Sequence, residues 1–199
     1  MPKPKVAVAM SGGVDSSVAC LILAEQGFNV FGLTMQVLDT RSYTGGSFAA
    51  GQGLSPALTT AEDAGKICRE LGVPHYTVDL VEEFEAEVIA PFIENYRQGK
   101  TPNPCLICNT RFKFGQLLDK ARKLGARYLA TGHYVQAGRI LGETGEFVEN
   151  HVLAAGNLNQ GCPGMANGLP REDETAFRLL LARGKDSGKD QSYALYGLN

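Results

Sequence analysis

Residues 5–19 read KVAVAMSGGVDSSVA and constrain the fold of this chain more than any other segment does. The Val-rich run at 5–10 predicts a short buried strand, and the two glycines after it allow the backbone to turn sharply. Ser16 and Ser17 then open an apolar segment that predicts a helix buried along most of its length. A strand, a glycine turn and a helix start, in that order, build an anion site, because the glycines carry no Cβ and the first helical N–H groups are unpaired donors.

Asp15 places a negative charge in this turn. A carboxylate repels a phosphate unless a cation lies between them, so we interpret Asp15 as helping to hold Mg²⁺ on a triphosphate. The turn is not a Walker A loop, because no Gly-Lys-Ser/Thr follows at the required distance, and it is not a GxGxxG loop. The alternative is an ordinary strand-to-helix turn that happens to carry two glycines.

The composition is that of a soluble globular protein, since 44% of the residues are hydrophobic and 20% are charged, and a length of 199 residues allows one core, or one core plus an appendage. No apolar run reaches membrane-spanning length and no signal peptide precedes the first strand, so we expect a cytoplasmic protein with no membrane partner. The five cysteines indicate reduced thiols rather than a disulfide framework. With a net charge of −2, contact with nucleic acid requires a local basic patch or parts of the protein outside this chain.

The hydrophobic pattern up to residue 135 predicts the element order β-α-β-α-β-α-α-β, and therefore an α/β fold with a parallel, Rossmann-like sheet and helices on both faces. The later part predicts a hairpin and then a strand or short helix. Strands are expected at 5–10, 28–38, 74–80 and 126–131, and the later helices at 59–71, 81–96 and 110–124. A long loop is expected at 39–56 and a hairpin at 139–154, with its turn at 143–145. A loop with Cys162 is expected at 156–170, and the last element at 177–181. His75 is expected to be structural, whereas His133 could contact a ligand or cap the fourth strand.

Residues 101–109, TPNPCLICN, form the second informative stretch. Its two prolines argue against a helix through the segment, and Asn109 can cap a helix at 110–124. Cys108 would then lie just before a helix N-terminus, where the helix dipole lowers the pKa of a thiol. Arg111 and Lys113 are expected to lower the pKa of Cys108 further.

The chain contains five motifs in a fixed order: SGGVDSS, GLTMQ, TPNPCLICN, ATGHY and KDSGKDQSYALY. With these motifs it resembles the tRNA-specific 2-thiouridylases of the PP-loop ATP pyrophosphatase superfamily. The resemblance covers residues 5–134 almost continuously and resumes at Leu181. It implies ATP-dependent 2-thiolation of the wobble uridine of tRNA, by adenylation of uridine O2 and transfer of sulfur from a cysteine persulfide. It also implies ATP and Mg²⁺ as cofactors, and tRNA and a persulfide sulfur-donor protein as partners.

The resemblance also assigns site residues, and the nucleophilic cysteine of the family matches Cys108. Family positions that bind the nucleotide match Ala9, Met10, Ser11, Gly12, Gly13, Val14, Asp15, Ser16, Met35 and Gly132, and positions that lie against the tRNA match Asn103, Pro104, Cys105, Lys189, Asp190 and Gln191. By the same resemblance, residues 1–135 form the PP-loop ATP pyrophosphatase domain, 136–180 an insertion, and 181–199 a return segment that leads to further C-terminal domains.

The sequence departs from the family pattern at its cysteines. The persulfide-carrying cysteine of the family follows the DQSY segment, and the chain stops at Asn199 before such a residue, so we expect a fragment or one piece of a split enzyme. Cys162 lies upstream of that segment and is not assigned the role. Cys105 replaces an aspartate of the family and creates Cys-x-x-Cys with Cys108. Two such thiols could hold two corners of an iron–sulfur cluster or half of a zinc site, or could form a disulfide.

Two other functions stay open. One is a different PP-loop ligase or synthetase that acts on a small molecule, which would leave Cys105 and Cys108 unexplained. The other is a nucleotide-binding module that has kept the fold and lost turnover, which the missing second cysteine makes worth weighing.

Overall fold

The computed structural model describes residues 3–38, 56–140, 147–150, 178–195 and 197–198. Its main sheet consists of parallel strands with β1 in the interior, paired with β2 on one side and β4 on the other. The strands are β1 (Lys5–Ala9), β2 (Asn29–Gln36), β3 (His75–Asp79) and β4 (Tyr128–Ala130), in the order β3-β2-β1-β4. The predicted parallel sheet is confirmed.

Helices connect these strands, and both helical stretches between β3 and β4 change their winding part of the way along. The segments are α1 (Val14–Glu25), α2 (Pro56–Glu70), α3 (Val81–Phe84), π1 (Glu85–Ile89), α4 (Ala90–Arg97), α5 (Pro104–Ile107), π2 (Cys108–Leu117) and α6 (Leu118–Lys123). A π-helix is rare and is often found at functional sites. Its presence directs attention to π2, which begins at Cys108.

Both faces of the sheet are covered because successive side chains of β1 point to opposite sides. Val8 belongs to a core cluster with Cys20 of α1 and Cys68 of α2. Ala7 belongs to a second cluster that includes Leu117 of π2. The predicted helices on both faces are confirmed, and the carboxyl ends of the parallel strands are left for a ligand site.

The thiols of Cys20 and Cys68 hydrogen-bond to each other inside the first cluster. Both residues are fully buried. The bond to Cys68, together with burial, raises the pKa of Cys20, so this thiol stays protonated. All the cysteines in the described part of the chain are free, in agreement with the expectation of reduced thiols.

Helix α1 is less buried than predicted. The buried side chains are Ser16, Cys20 and Leu23, whereas Val18 and Ile22 are 45% and 46% exposed. A helix on one face of a sheet presents one stripe to the sheet and the other to the outside. The apolar sequence therefore overstated the burial of this helix.

The helix expected at 110–124 begins earlier, at Pro104, and continues through π2 to Lys123. Asn103 caps it, because its side chain accepts a hydrogen bond from the N–H of Leu106 at 3.2 Å. Proline is tolerated at the first helical position, where no N–H is needed. The prediction that Asn109 caps the helix is therefore wrong: Asn109 lies within the helix and is buried.

A second, antiparallel sheet follows the main one, with strand order β6-β5-β7. Its strands are β5 (Val135–Ile140), β6 (Phe147–Asn150) and β7 (Arg178–Arg183). The predicted hairpin is confirmed by the pairing of Ile140 with Phe147, and the last predicted element is a strand. The predicted turn at 143–145, the loop with Cys162 and most of the loop at 39–56 lie outside the described residues. No helix in the described ranges is long and apolar enough to span a membrane.

Candidate functional site

Residues 11–16, which comprise the turn after β1 and the first residues of α1, are called the anion loop below. Gly12 has a φ of 72°, a conformation that glycine adopts without strain. The Ser16 hydroxyl donates to the carbonyl of Gly13 at 3.1 Å and accepts from the N–H of Ser11 at 3.2 Å. Ser16 therefore shapes the loop from inside, and it is buried accordingly.

The first turn of α1 contributes backbone N–H donors to the anion loop. Gly13 is the N-cap and provides no side-chain cap. The first N–H groups of a helix have no partner within the helix and lie at the positive end of its dipole. This arrangement offers several donors and a favourable field to an anion such as a phosphate.

Gly132, at the carboxyl end of β4, packs directly against this helix start. A Cβ at Gly132 would lie 2.8 Å from the carbonyl carbon of Asp15 and 2.8 Å from the nitrogen of Ser16. Only glycine allows this approach. Met35 is partly buried at the end of β2 and packs against the core clusters that hold Leu33 and Phe112.

The Asp15 carboxylate is exposed at the mouth of the loop and has a partner from another part of the chain. The Tyr134 hydroxyl donates to Asp15 Oδ1 at 2.6 Å. This hydrogen bond raises the pKa of Tyr134, because the phenol that donates to a carboxylate resists deprotonation. No local sequence pattern indicates this contact, since the two residues are 119 positions apart.

A cleft of about 280 Å³, called the thiol pocket below, lies beside π2. It brings Cys108 together with Cys105, Pro104 and Gln191, which the resemblance assigned to tRNA contact. The lining residues are Phe84, Val88, Pro104, Cys105, Cys108, Asn109, Lys113, His133, Gln191, Tyr193 and Ala194.

The π-helical winding explains why Cys108 and Lys113 share this pocket. In a π-helix each N–H bonds to the carbonyl five residues earlier, so residues five apart lie one above the other. In an α-helix the side chains at i and i+5 would point to different faces. The change of winding therefore aligns the thiol of Cys108 with the ammonium group of Lys113.

The pKa of Cys108 is raised, not lowered as predicted from the sequence. Burial raises it most, the Lys113 ammonium lowers it, and the nearby Cys105 thiol raises it again. Cys108 lies inside a helix rather than before one, so the dipole of a free N-terminus does not act on it as expected. Arg111 does not contribute either, because it is paired with Glu87 at 2.7 Å.

His133 also lines the pocket and is held neutral. Burial, and then the Lys113 ammonium, lower its pKa to about 4. His133 Nε2 lies 3.4 Å from Lys113 Nζ, and Nδ1 lies 2.8 Å from Thr131 Oγ1. An ammonium group can only donate, so Nε2 accepts and the proton resides on Nδ1. Of the two roles left open by the sequence, the pocket position fits contact with a ligand.

The return segment reaches the pocket through a tight loop organised by Asp190. Its carboxylate accepts from the N–H of Gly184 at 2.8 Å and from both the N–H and the hydroxyl of Ser192. These bonds, led by that from Gly184, lower the pKa of Asp190 to about 2. Both oxygens of Asp190 thus serve the loop itself, while Lys189 stays exposed and Gln191 lines the pocket.

Residues 4–199 match the sequence model of a family described as the tRNA methyl transferase HUP domain. The chain belongs to this family. It is 41% identical over 194 residues to tRNA-specific 2-thiouridylase MnmA 2 of Thermoanaerobacter sp. (strain X514), a match that covers 98% of this chain and 43% of the relative. It is also 40% identical over 196 residues to tRNA-specific 2-thiouridylase MnmA of Salinibacter ruber, covering 98% of this chain and 42% of the relative.

These relatives confirm the resemblance seen in the motifs. The chain spans less than half the length of the curated relatives it matches. Among solved structures, a predicted subunit of tRNA methyltransferase from Methanocaldococcus jannaschii aligns with a TM-score of 0.43 and 22% identity, over 65% of this chain and 52% of that chain.

Proposed function

We propose that this chain is the adenylating and thiol-bearing part of an ATP-dependent tRNA sulfurtransferase that replaces O2 of the wobble uridine with sulfur. One observation carries the proposal: an anion loop and a pocket with a helical thiol meet at the carboxyl edge of one parallel sheet. Gly132 abuts the loop, and the next residue, His133, lines the pocket. A phosphate donor and a base with a poor leaving group could therefore be held side by side.

The nucleotide half of the proposal assigns ATP to residues 9–16, with Met35 and Gly132 completing its pocket. Backbone N–H groups of the anion loop would bind the phosphates, and Asp15 would hold Mg²⁺ on the triphosphate. Mg²⁺, when bound, supplies positive charge between the carboxylate and the phosphates. The donors at the start of α1 also stabilise the negative charge that pyrophosphate carries as it leaves.

The base half assigns the flipped uridine to the thiol pocket. Oxygen O2 of uracil leaves poorly, and its attack on the α-phosphate of ATP converts it into AMP, which leaves well. We assign Asn103, Pro104, Cys105, Lys189 and Gln191 to contact with the tRNA, and Asp190 holds the loop of Lys189 and Gln191 in shape. Cys108 then attacks the inner sulfur of a persulfide on the donor: a disulfide forms, the S–S bond of the persulfide breaks, and the released hydrosulfide attacks C2 and displaces AMP. A sulfur-donor protein, tRNA and a cytoplasmic location are parts of this proposal.

An iron–sulfur cluster or zinc site is not supported by the described residues alone. Cys105 and Cys108 supply two thiols one helical turn apart, and no group of three or more His, Cys, Asp or Glu side chains able to hold a metal occurs in the described ranges. Such a cluster needs at least one more ligand. We therefore assign Cys108 to sulfur chemistry and Cys105 to contact with the tRNA.

Pyrophosphate release from ATP, measured with and without unmodified tRNA, tests the proposal. Stimulation by tRNA is expected in the wild-type chain and in Cys108→Ser, because the thiol acts only after adenylation. Asp15→Asn should lose most of the release and weaken Mg²⁺–ATP binding. Stimulation by a small metabolite instead of tRNA would favour another PP-loop ligase, and ATP binding without turnover would favour a nucleotide-binding module.

A further inference from the structure

Tyr134 contacts both halves of the proposed site. Its hydroxyl donates to Asp15 Oδ1 at 2.6 Å, the length of a hydrogen bond between a hydroxyl and a carboxylate. Such charge-assisted bonds are about twice as strong as bonds between neutral groups. The orientation of the Asp15 carboxylate in the anion loop is thus set by a residue from the end of β4.

The other atoms of Tyr134 hold the return segment. Its N–H donates to Gln191 Oε1 at 2.9 Å, and its carbonyl accepts from the N–H of Gln191 at 2.9 Å. The Lys189 ammonium lies 5.1 Å from the centre of the Tyr134 ring, within range of a cation–π interaction. Three separate contacts therefore fix residues 189–191 to Tyr134.

The contacts continue from Gln191 to the nucleophile. Ser192 and Asp190 close the loop that follows β7, and the carbonyl of Ala194 accepts from the side-chain amide of Asn109 at 2.9 Å. Asn109 is the neighbour of Cys108 on π2. A continuous series of hydrogen bonds thus runs from the Asp15 carboxylate to the helix that carries the thiol.

We propose that Tyr134 is a positioning residue that makes nucleotide binding at the anion loop and closure of the return segment over the thiol pocket depend on each other. This inference rests on the proposed nucleotide role of Asp15. Tyr134 occupies Oδ1 and leaves Oδ2 for a cation on the nucleotide, since a carboxylate accepts at both oxygens. Nucleotide binding selects the carboxylate orientation that Tyr134 maintains, so it also stabilises the segment attached to Tyr134.

The consequence is an order of events. Nucleotide binding stabilises the thiol pocket, because Gln191, Tyr193 and Ala194 line it and belong to the segment attached to Tyr134. The return-segment residues that line the pocket are therefore less ordered when a base enters before ATP than when it enters after ATP. Once ATP is bound, the coupling makes Cys108 less accessible to other reagents.

Tyr134→Phe tests this coupling, because it keeps the ring, the backbone bonds and the cation–π contact and removes the hydroxyl alone. Hydrogen–deuterium exchange of residues 184–195 is followed with and without a saturating Mg²⁺ complex of a non-hydrolysable ATP analogue, whose binding is measured by calorimetry. In the wild type the analogue should slow exchange in this segment by about threefold or more, since local opening is then disfavoured. In Tyr134→Phe the analogue should still bind, but its binding should leave the exchange rate of residues 184–195 unchanged.

Tyr96→Phe is the matched control, since it removes the same atom from an exposed residue of α4 and should respond as the wild type does. Equal slowing in Tyr134→Phe and wild type, or bound analogue without slowing in the wild type, would overturn the coupling. Absence of calorimetric binding to the wild type would instead remove the proposed nucleotide function, and the coupling with it. A further readout needs no variant: the bound analogue should slow alkylation of Cys108 in the wild type, and an unchanged rate contradicts the inference.

Discussion

The side-chain amide of Asn109 donates to the carbonyl of Ala194 at 2.9 Å and joins two residues that are 85 positions apart. Asn109 is 3% exposed, and its Oδ1 atom has no hydrogen-bond partner among the described residues. The amide thus contributes one useful donor and one buried acceptor that costs free energy. Its value is in attaching the return segment to π2 rather than in global stability.

Asn109→Leu should therefore loosen the return segment with little change in the free energy of unfolding. We expect exchange at 192–195 to accelerate, while the free energy of unfolding changes by less than about 1 kcal/mol, because the lost bond and the removed unpaired acceptor offset each other. Urea denaturation and hydrogen exchange measure the two effects. Asn95→Leu is the control, since Asn95 donates to the carbonyl of Pro91 within its own helix. Faster exchange at 192–195 in both variants would contradict the assignment.

Gly132→Ala should disturb the anion loop through backbone contact. The new Cβ would lie 2.8 Å from backbone atoms of Asp15 and Ser16, and neither can move without shifting the start of α1. We expect a loss of about 1–3 kcal/mol in the free energy of unfolding, as for other overpacked sites, and weaker nucleotide binding. Urea denaturation and calorimetry give the two values.

Gly13→Ala is the matched variant for that experiment. Gly13 has a φ of −85°, which any residue adopts, and its Cβ would meet only the Ser11 hydroxyl at 3.4 Å. We expect its free energy of unfolding to stay within about 0.5 kcal/mol of the wild-type value. An equal loss of stability in both variants would mean that any side chain near this loop is harmful and that the approach of Gly132 is not special.

The sequence predicted the layers of this fold well because they follow from local patterns. The alternation of apolar strands and helices indicated a parallel sheet, and the glycines and serines at 11–16 indicated the loop that the structure contains. The start of the helix at Pro104 was missed because proline either ends a helix or begins one, and the composition of the segment does not distinguish the two.

The chemistry of the site was harder to predict, because it depends on contacts between distant segments. The helix dipole suggested a lowered pKa for Cys108, but burial, which the sequence does not reveal, outweighs the nearby cation. No local pattern indicates a role for Tyr134, the last residue of the ATGHY motif, because its partners Asp15 and Gln191 come from opposite ends of the chain. Lys113 was noticed as a charge near Cys108, and its contact with His133 was not expected.

His133 should make the protein less stable at mildly acidic pH. Its pKa is about 4 in the folded state and 6.5 for an unperturbed imidazole, so the unfolded state takes up the proton first and protonation favours unfolding. The loss begins as the pH falls through about 6.5 and is complete below about 4. Between pH 7 and pH 5 we expect His133 to account for roughly 1 kcal/mol, after allowance for screening by solvent at this partly exposed ring.

Urea denaturation of the wild type and of His133→Gln at these two pH values measures that term. The pKa of His75 is also lowered by burial, but His75 is present in both proteins and cancels in the comparison. The wild type should lose more stability than the variant on going to pH 5. An identical loss in the two proteins would show that His133 is not held neutral by the fold.

Lys113→Met should slow the reaction of Cys108 with iodoacetamide at pH 8. The ammonium group lowers the pKa of this thiol against the effect of burial, so its removal raises the pKa further and reduces the thiolate fraction. We expect a several-fold lower rate, since each unit of pKa changes the thiolate fraction about tenfold. Fragment-ion mass spectrometry of the peptide 101–111 distinguishes label on Cys108 from label on the exposed Cys105. Arg111→Met is the control, because Arg111 is paired with Glu87, and its rate should stay close to that of the wild type. Equal rates in wild type and Lys113→Met would mean that the π-helical alignment brings no charge to the thiol.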